Sequence, residues 1–302
     1  MIDQGAINRV IEKRTASSLP TTLARLLYNR PTYFLFHSFK NYWQHFSPQF
    51  LFLKGGSHYQ FSLPGYGLLY LITAPFLVIG LGWLIKEKHW WLLFWLAIAF
   101  LPSAITRDAP HVLRSLLVLP LPMVITALGL WQVENYFQTR SRFGGKLILT
   151  SFLLGVLFQF SFWWRDYWRV YRPRYSWAWQ YGYQEVVEYL KKHYSQYSKI
   201  IISKKYGEPH EFLLFYWPWE PSYYQQDAKK VWDYHAHWYW INAFDKFEFW
   251  NDWEIIKKFE SEKDGGRLLL ITSPKNWPKE GKLLRKINFL DGTTAFEIVA
   301  YE

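Results

Sequence analysis

The sequence predicts an α-helical membrane bundle of about four transmembrane helices, followed by a small soluble α/β domain. Three observations predict it. Four apolar runs lie between Gly65 and Trp164, the pattern turns to short alternating helices and strands after Arg165, and aromatic residues make up 22% of the chain, with 19 tryptophans. Mean hydropathy is nevertheless close to neutral at -0.15. A mosaic of lipid-facing and water-facing parts explains this, because Trp and Tyr gather where an apolar body meets a wet edge.

A bilayer core of about 30 Å asks for roughly 20 apolar residues in a helix. Gly65 to Ile85 meets that length without a charge, and Trp90 to Ile105 is shorter. Val112 to Val133 contains Arg114, Pro120 and Pro122, and Leu147 to Trp164 is the fourth run. Pro75, Pro102, Pro120 and Pro122 predict kinks in a packed bundle, where neighbouring helices re-satisfy the freed backbone groups. Residues 1–64 read as an extracytoplasmic aromatic loop segment. There Pro20, Pro31, Pro48 and Pro64 frame Tyr33, Phe34, Phe36, Phe39, Tyr42, Trp43 and Phe46, the composition of a short membrane-skimming helix.

Lys86, Lys88, Arg140, Arg142 and Lys146 mark the first and third linkers as cytoplasmic by the positive-inside rule, against Arg165, Arg169, Arg172 and Arg174 on the other side. The expected organisation is therefore a multi-pass plasma-membrane protein, with transmembrane helices in 65–164 and an extracytoplasmic α/β domain in 165–302. A net charge of +11 calls for an anionic partner or surface. The absence of cysteine excludes a disulfide framework, a thiolate zinc site and a cysteine nucleophile. Met1 to Arg14 is polar and lacks the apolar run of a cleavable signal.

In the C-terminal part, Glu185 to Tyr197 reads as a helix with Val186, Val187, Leu190 and Tyr194 on one face, and Lys199 to Ser203 as a β-branched strand. Glu211 to Tyr216 and Trp253 to Glu262 read as helical, Trp238 to Phe249 as extended and Arg267 to Thr272 as a buried strand. Leu284 to Leu290 and Thr294 to Tyr301 flank Asp291-Gly292, a hairpin signal.

Arg114 is the most informative single residue, since a guanidinium inside an apolar run is costly and such residues face a cavity, a partner or a substrate. With Arg107 and His111 beside it, it forms a site for the phosphate of a lipid-linked ligand; the alternative is an arginine at a helix end paired with Asp108. The run Trp163 to Tyr183 interleaves four arginines with aromatics as a headgroup-binding belt. That neighbourhood argues against a soluble groove for single-stranded nucleic acid, so no nucleic-acid partner is expected. Asp233, His235 and His237 would share one face of a strand, with Glu208, His210 and Glu211 as further ligand types, but nothing joins the two groups and no metal is expected. Trp217, Trp219, Trp232, Trp238 and Trp240 either stack on sugars or fill the core. Lys204 and Lys205 follow a strand and precede a helix, where open α/β sheets bind ligands, though without a Gly-rich phosphate loop.

The segment Asn41-Tyr42-Trp43-Gln44-His45-Phe46-Ser47-Pro48, then Phe50-Leu51-Phe52 and Pro64-Gly65-Tyr66-Gly67, resembles the outer loop leading into the later helices of bacterial PMT-type glycosyltransferases, family 39 of the C superfamily. Arg107 to Leu116 and Leu119 to Pro122 are similar to that family's basic, proline-containing outer helix end, and the tail from Lys204 to Glu211 looks like an appended extracytoplasmic domain. The resemblance implies transfer of a sugar from a polyprenyl-phosphate donor to a protein or glycan acceptor at the outer membrane face, without a cofactor. In that scheme Arg107, His111 and Arg114 hold the donor phosphate, and membrane lipid is a further partner. The family's acidic catalytic residue lies on an earlier loop than any seen here, so no catalytic residue is assigned, and the chain is expected to be the C-terminal part of a longer enzyme. The competing expectation is a non-catalytic membrane-anchored module that binds glycans or a partner protein.

Overall fold

The computed structural model describes residues 4–141, 143–235, 238–261 and 266–302, and the chain divides into two compact units, Met1–Tyr167 and Trp168–Glu302. In the first unit, helices α1 (Gln4–Thr15), α2 (Thr21–Leu27) and α3 (Arg30–Gln44) precede the apolar runs. Asn29 starts α3 by accepting from the Thr32 amide at 2.8 Å, an N-cap satisfying one of the orphan donors of the first turn. None of the residues of α3 is fully buried, and Phe36, Phe39 and Trp43 stand exposed. The aromatic segment thus contains a helix, α3, and it belongs to the same unit as the apolar helices.

Those helices are α4 (Ala74–Lys86), α5 (Trp90–Ala99), the single turn α6 (Leu101–Ala104), α7 (Leu121–Gln138) and α8 (Gly144–Asp166). A Cβ built on Gly80 would stand 2.0 Å from the Ile125 carbonyl oxygen, and one on Gly129 would stand 1.9 Å from that of Phe76. The pairing of 76 with 129 and 80 with 125 makes α4 and α7 antiparallel, in backbone contact at two glycines. Leu84, Leu92, Leu121 and Ile125 close the packing beside this crossing.

The expected bundle of four transmembrane helices is not what forms. Among the described residues one helix, Gly144–Arg174, has the length and hydropathy to cross a membrane, and none of its most apolar window is buried. The remaining runs are cut short for identifiable reasons. Residues 65–70 of the first run lie outside any helix, leaving α4 only 13 residues long, about 20 Å at helical rise. The second run is divided at Phe100, ahead of Pro102, into α5 and α6. The third is split between a 3-10 turn, Leu113–Val118, and α7, which opens on Pro120 and Pro122. Proline supplies no backbone donor and is at home in a helix's first turn, so each one marks a start rather than a kink inside a long span.

The second unit follows the short turn α9 (Arg172–Arg174) with α10 (Tyr183–His193), β1 (Lys199–Ser203), α11 (Pro209–Tyr216), α12 (Pro221–Gln226), β2 (Val231–His235), β3 (Trp238–Phe244), β4 (Phe247–Trp250), α13 (Ile255–Ser261), β5 (Leu268–Thr272), β6 (Lys282–Asn288) and β7 (Thr294–Tyr301). The strands form one sheet in the order β2-β3-β4-β1-β5-β7-β6, with β1 parallel to β4 and β5 and the other pairs antiparallel. Alternation on β1 sends Ile200 and Ile202 to one face, against Val186, Val187, Leu190 and Leu213, and Ile201 to the other, against Ile255 and Leu270. Helices thus cover both faces, as a sheet with continuously apolar central strands requires. Trp238 to Phe249, expected as one extended stretch, is two strands joined at Asp245, whose φ is +51°. The outer strand β6 presents Lys282, Arg285 and Lys286, charges that discourage edge pairing.

Candidate functional site

Of the residues expected to hold a donor phosphate, Arg107 and His111 lie on the loop between α6 and the Leu113–Val118 turn and Arg114 within that turn, and α3 fixes the loop. Asn41 donates both amide hydrogens to it, at 3.2 Å to the Ala104 oxygen and 3.1 Å to that of Thr106. His45 is fully buried; its Nδ1 lies 2.7 Å from the Asn41 carbonyl and its Nε2 2.7 Å from Ser103 Oγ. A carbonyl can only accept, so Nδ1 carries the proton and Nε2 accepts from the serine hydroxyl. Ser103 Oγ in turn accepts from the His111 amide at 3.1 Å.

This chain of bonds separates the three expected residues by role. His111 is buried, packs its ring 5.0 Å from Phe61, and accepts Ser115 Oγ on its carbonyl at 2.8 Å, so it anchors the loop. Arg114 sits 3.7 Å from Asp108, with both side chains open to solvent, which is the helix-end pairing open as the alternative in the sequence. A pair so exposed is worth about 0–1 kcal/mol. Arg107 lines a separate cleft with Arg9, Tyr33, His37 and Asn41. Arg9 and His37 were missed in the sequence because nothing local ties α1 to a loop a hundred residues on. Residues 1–167 carry 15 Lys and Arg against 6 Asp and Glu, while 168–302 carry 20 against 18, so nearly all the net charge belongs to the first unit.

An apolar groove of about 810 Å³ lies between α7, α8 and the segment ahead of α4. Phe52, Leu69, Leu71, Met123, Leu130 and Phe162 supply much of its wall. Tyr66 and Trp163 also line it, and Tyr66 donates to Asp166 Oδ2 at 2.6 Å while Arg165 Nε donates to Oδ1 at 3.0 Å. Tyr66 thus links the groove wall to an Asp166–Arg165 pair. Tyr66 and Arg165 are far apart in the sequence, and their meeting through Asp166 is a tertiary fact.

In the second unit the parallel strands run β4-β1-β5, so the chain leaves β1 toward one neighbour and later returns to the other. That reversal opens a crevice at the carboxyl ends of β1 and β5, the usual ligand position in open α/β sheets. Asp252 occupies it, taking Ser203 Oγ on Oδ1 at 2.6 Å and Ser273 Oγ on Oδ2 at 2.9 Å, with Lys205 Nζ 3.5 Å away. Burial would raise this carboxyl, but the bonds from Ser203 and Ser273 together with Lys205 hold it below the ordinary carboxylate range. Lys204, beside it, reaches Asn242 and the Trp240 ring, and burial lowers its ammonium.

Close by in sequence, His210 Nδ1 and Glu208 Oε2 face each other at 3.4 Å, buried and without a well-formed hydrogen bond. Burial raises Glu208, while burial and the Lys204 charge push His210 down to about 4. A histidine whose folded pKa is depressed contributes stability that is present above the unfolded value, near 6.5, and lost as pH falls toward 4. Acid titration should therefore cost the wild type about 2 kcal/mol over that window, discounted for partial exposure. His210→Phe should flatten the loss between pH 6.5 and 4 in chemical denaturation; an unchanged slope would refute the assignment.

The possible ligand groups weighed in the sequence fall in two places. Asp233 and His235 lie on β2, His237 falls outside the described residues, and no cluster of three or more ligating side chains occurs among the described residues. Trp217 and Trp219 pack on Phe247, whereas Trp232 and Trp238 are exposed. Arg172 lies over Trp168 at 4.1 Å, an aromatic–arginine pairing of the kind expected in the belt. Compared with known proteins, the chain matches no family model, no curated protein and no solved structure.

Proposed function

We propose that this chain binds a polyprenyl-phosphate-linked sugar at a membrane surface and serves its transfer, as a relative of the PMT-type glycosyltransferases. The groove carries this reading. It is open and apolar, lined by Leu, Phe and Met, and one of its lining residues, Tyr66, donates to Asp166, which also pairs with Arg165. A saturated or isoprenoid chain fills such a space by burying apolar area, at about 25 cal/mol per Å², while its polar end remains beside hydrogen-bonding groups. Membrane attachment is assigned to Gly144–Arg174, whose exposed Leu153, Leu154, Leu157 and Phe158 need an apolar surrounding.

Ala127 lines the groove from α7 and is exposed to it, so an indole there fills space without entering the core. Ala127→Trp should weaken binding of farnesyl phosphate by at least ~10-fold, equivalent to about 1.4 kcal/mol, with thermal unfolding in detergent unchanged. Leu153→Trp, outside the groove, should bind as the wild type does. Equal affinity in Ala127→Trp and wild type would remove the groove from the lipid and with it this reading. The exposed aromatics of the β2–β3 hairpin, Trp232, Tyr234, Trp238 and Tyr239, favour a second reading in which the α/β unit holds a glycan acceptor by ring stacking.

A further inference from the structure

Helix α3 is amphipathic in the opposite sense to a helix that faces water. A water-facing helix turns its apolar side inward. In α3 it is the polar side that is spent on the fold: Asn41 donates to the Ala104 and Thr106 carbonyls, and His45, one turn on, is fully buried against Ser103. The far side carries Leu35, Phe36, Phe39 and Trp43, which helical spacing places on one stripe. Each of the four is between 56% and 66% exposed.

The apolar surface continues beyond α3. Phe36 shares a groove of about 270 Å³ with Val10 of α1 and Leu27 of α2, and Leu23 and Leu26 of α2 are exposed as well. At the other end of the stripe the Trp43 ring lies edge-on to Phe39 at 6.1 Å and to Tyr42 at 6.0 Å. Such rings, apolar in body and polar at one edge, gather where hydrocarbon meets water. Charge decides what covers the surface. Between Glu12 and Glu87 the sequence contains no Asp or Glu, while Arg25 on α2 and Arg30 and Lys40 on α3 are all exposed. A second copy of the chain laid symmetrically on this face would bring the same cations and no acid, so like charges would meet. A bilayer with anionic headgroups supplies an apolar layer for the stripe and counter-charge for the cations together.

We infer that α3 lies in the interface of an anionic lipid leaflet, with Leu35, Phe36, Phe39 and Trp43 about 5–10 Å into the boundary between headgroups and acyl chains and Arg25, Arg30 and Lys40 among the phosphates. Aromatic composition led to a membrane-skimming helix; its rotation and its lipid follow from the polar side being held by Ala104, Thr106 and Ser103. The inference uses nothing of the sugar-transfer reading and shares with it only the attachment through α8.

The chain contains no cysteine, so single cysteines can be introduced into the full chain, labelled with an environment-sensitive fluorophore and reconstituted into phosphatidylcholine vesicles with and without phosphatidylglycerol. Labels at Leu35→Cys and Phe39→Cys should lose most of their fluorescence to lipids bearing a nitroxide high on the acyl chain, and little to lipids bearing it near the chain end. A label at Leu154→Cys, within α8, should show the reverse order, and one at Asn8→Cys, exposed on α1, should be quenched by neither. Phosphatidylglycerol should increase the quenching at Phe39→Cys, and adding Arg25→Gln, Arg30→Gln and Lys40→Gln together should remove that increase. Quenching at Leu154→Cys without any at Leu35→Cys and Phe39→Cys overturns the inference and leaves attachment through α8 standing. Disulfide cross-linking between copies at Phe39→Cys in place of lipid quenching overturns it in favour of a second copy. Quenching at Phe39→Cys that is indifferent to phosphatidylglycerol overturns the choice of an anionic leaflet.

Discussion

Replacing Gly129 by alanine is expected to destabilise the first unit by about 3 kcal/mol, the upper part of the usual range for overpacking. Its Cβ would lie 1.9 Å from the Phe76 carbonyl oxygen and 2.8 Å from the Gly80 nitrogen. Both obstacles are backbone, so no side chain can swing aside and α4 must separate from α7. Separation loosens Leu84, Leu121 and Ile125, which are essentially inaccessible now. Alanine's better helix propensity returns only about 1 kcal/mol. Gly82→Ala, on α4, is the internal control, since a Cβ there meets nothing within 4 Å. It should be neutral or stabilising by up to about 1 kcal/mol. Thermal unfolding of both variants in detergent, followed by circular dichroism, decides the matter. If they melt together, the two helices are not in backbone contact.

Asp252→Ala is expected to cost the second unit about 3 kcal/mol, because it strips the acceptor from two buried hydroxyls, each worth about 1–3 kcal/mol when left unpaired. Ser203 is inaccessible and Ser273 nearly so. Their partner oxygens are supplied only after β4 has ended, so the side chain ties β1, β4 and β5 together at the crevice. The pH dependence has a defined sign. Asp252 is held below its ordinary value, so its contribution is present above that value, near 3.8, and fades as pH falls through the still lower folded one. The difference between variant and wild type in urea unfolding should therefore be constant from neutral pH to about 5 and shrink only below about 4. This window lies beneath the one assigned to His210, so the two titrations are separable. A difference that vanished near pH 6 would show that Asp252 is not the group responsible.

Much of the second unit could be read from the chain. The β1 segment Lys199–Ser203 has a run of three isoleucines, the pattern of a central strand buried on both faces, and Asp291-Gly292 gives the turn that pairs β6 with β7. Lys204 and Lys205 could be placed at the end of that strand because strand and helix signals flank them. Asp252 carried no such mark. It is an ordinary acid after an aromatic strand, and its importance arises only from β4 lying parallel to β1, with the β1 carboxyl end beside it.

In the first unit, apolar runs were legible and their lengths as helices were not. Hydropathy counts residues, and Gly65 to Ile85 has enough of them for a span. Helix length is decided instead by where prolines and glycines let the backbone turn, and the first part of that run is spent lining the groove. The site suffered the same blindness. Arg107 and Arg114 are seven residues apart, which looks like one cluster in a sequence, yet Arg114 pairs with Asp108 while Arg107 lies with Arg9 and His37.

By itself the sequence determined which segments are apolar, where the β-rich part begins, and that the chain carries a strong excess of positive charge; these are sums over local composition and periodicity. Only the tertiary structure decided that α4 and α7 touch at glycines, that one helix alone among those described is fit to cross a membrane, and which basic residues share a cleft. Such facts depend on pairs of residues far apart in the chain. Close approach between them is set by packing and loop closure, and it leaves no periodic trace in either segment.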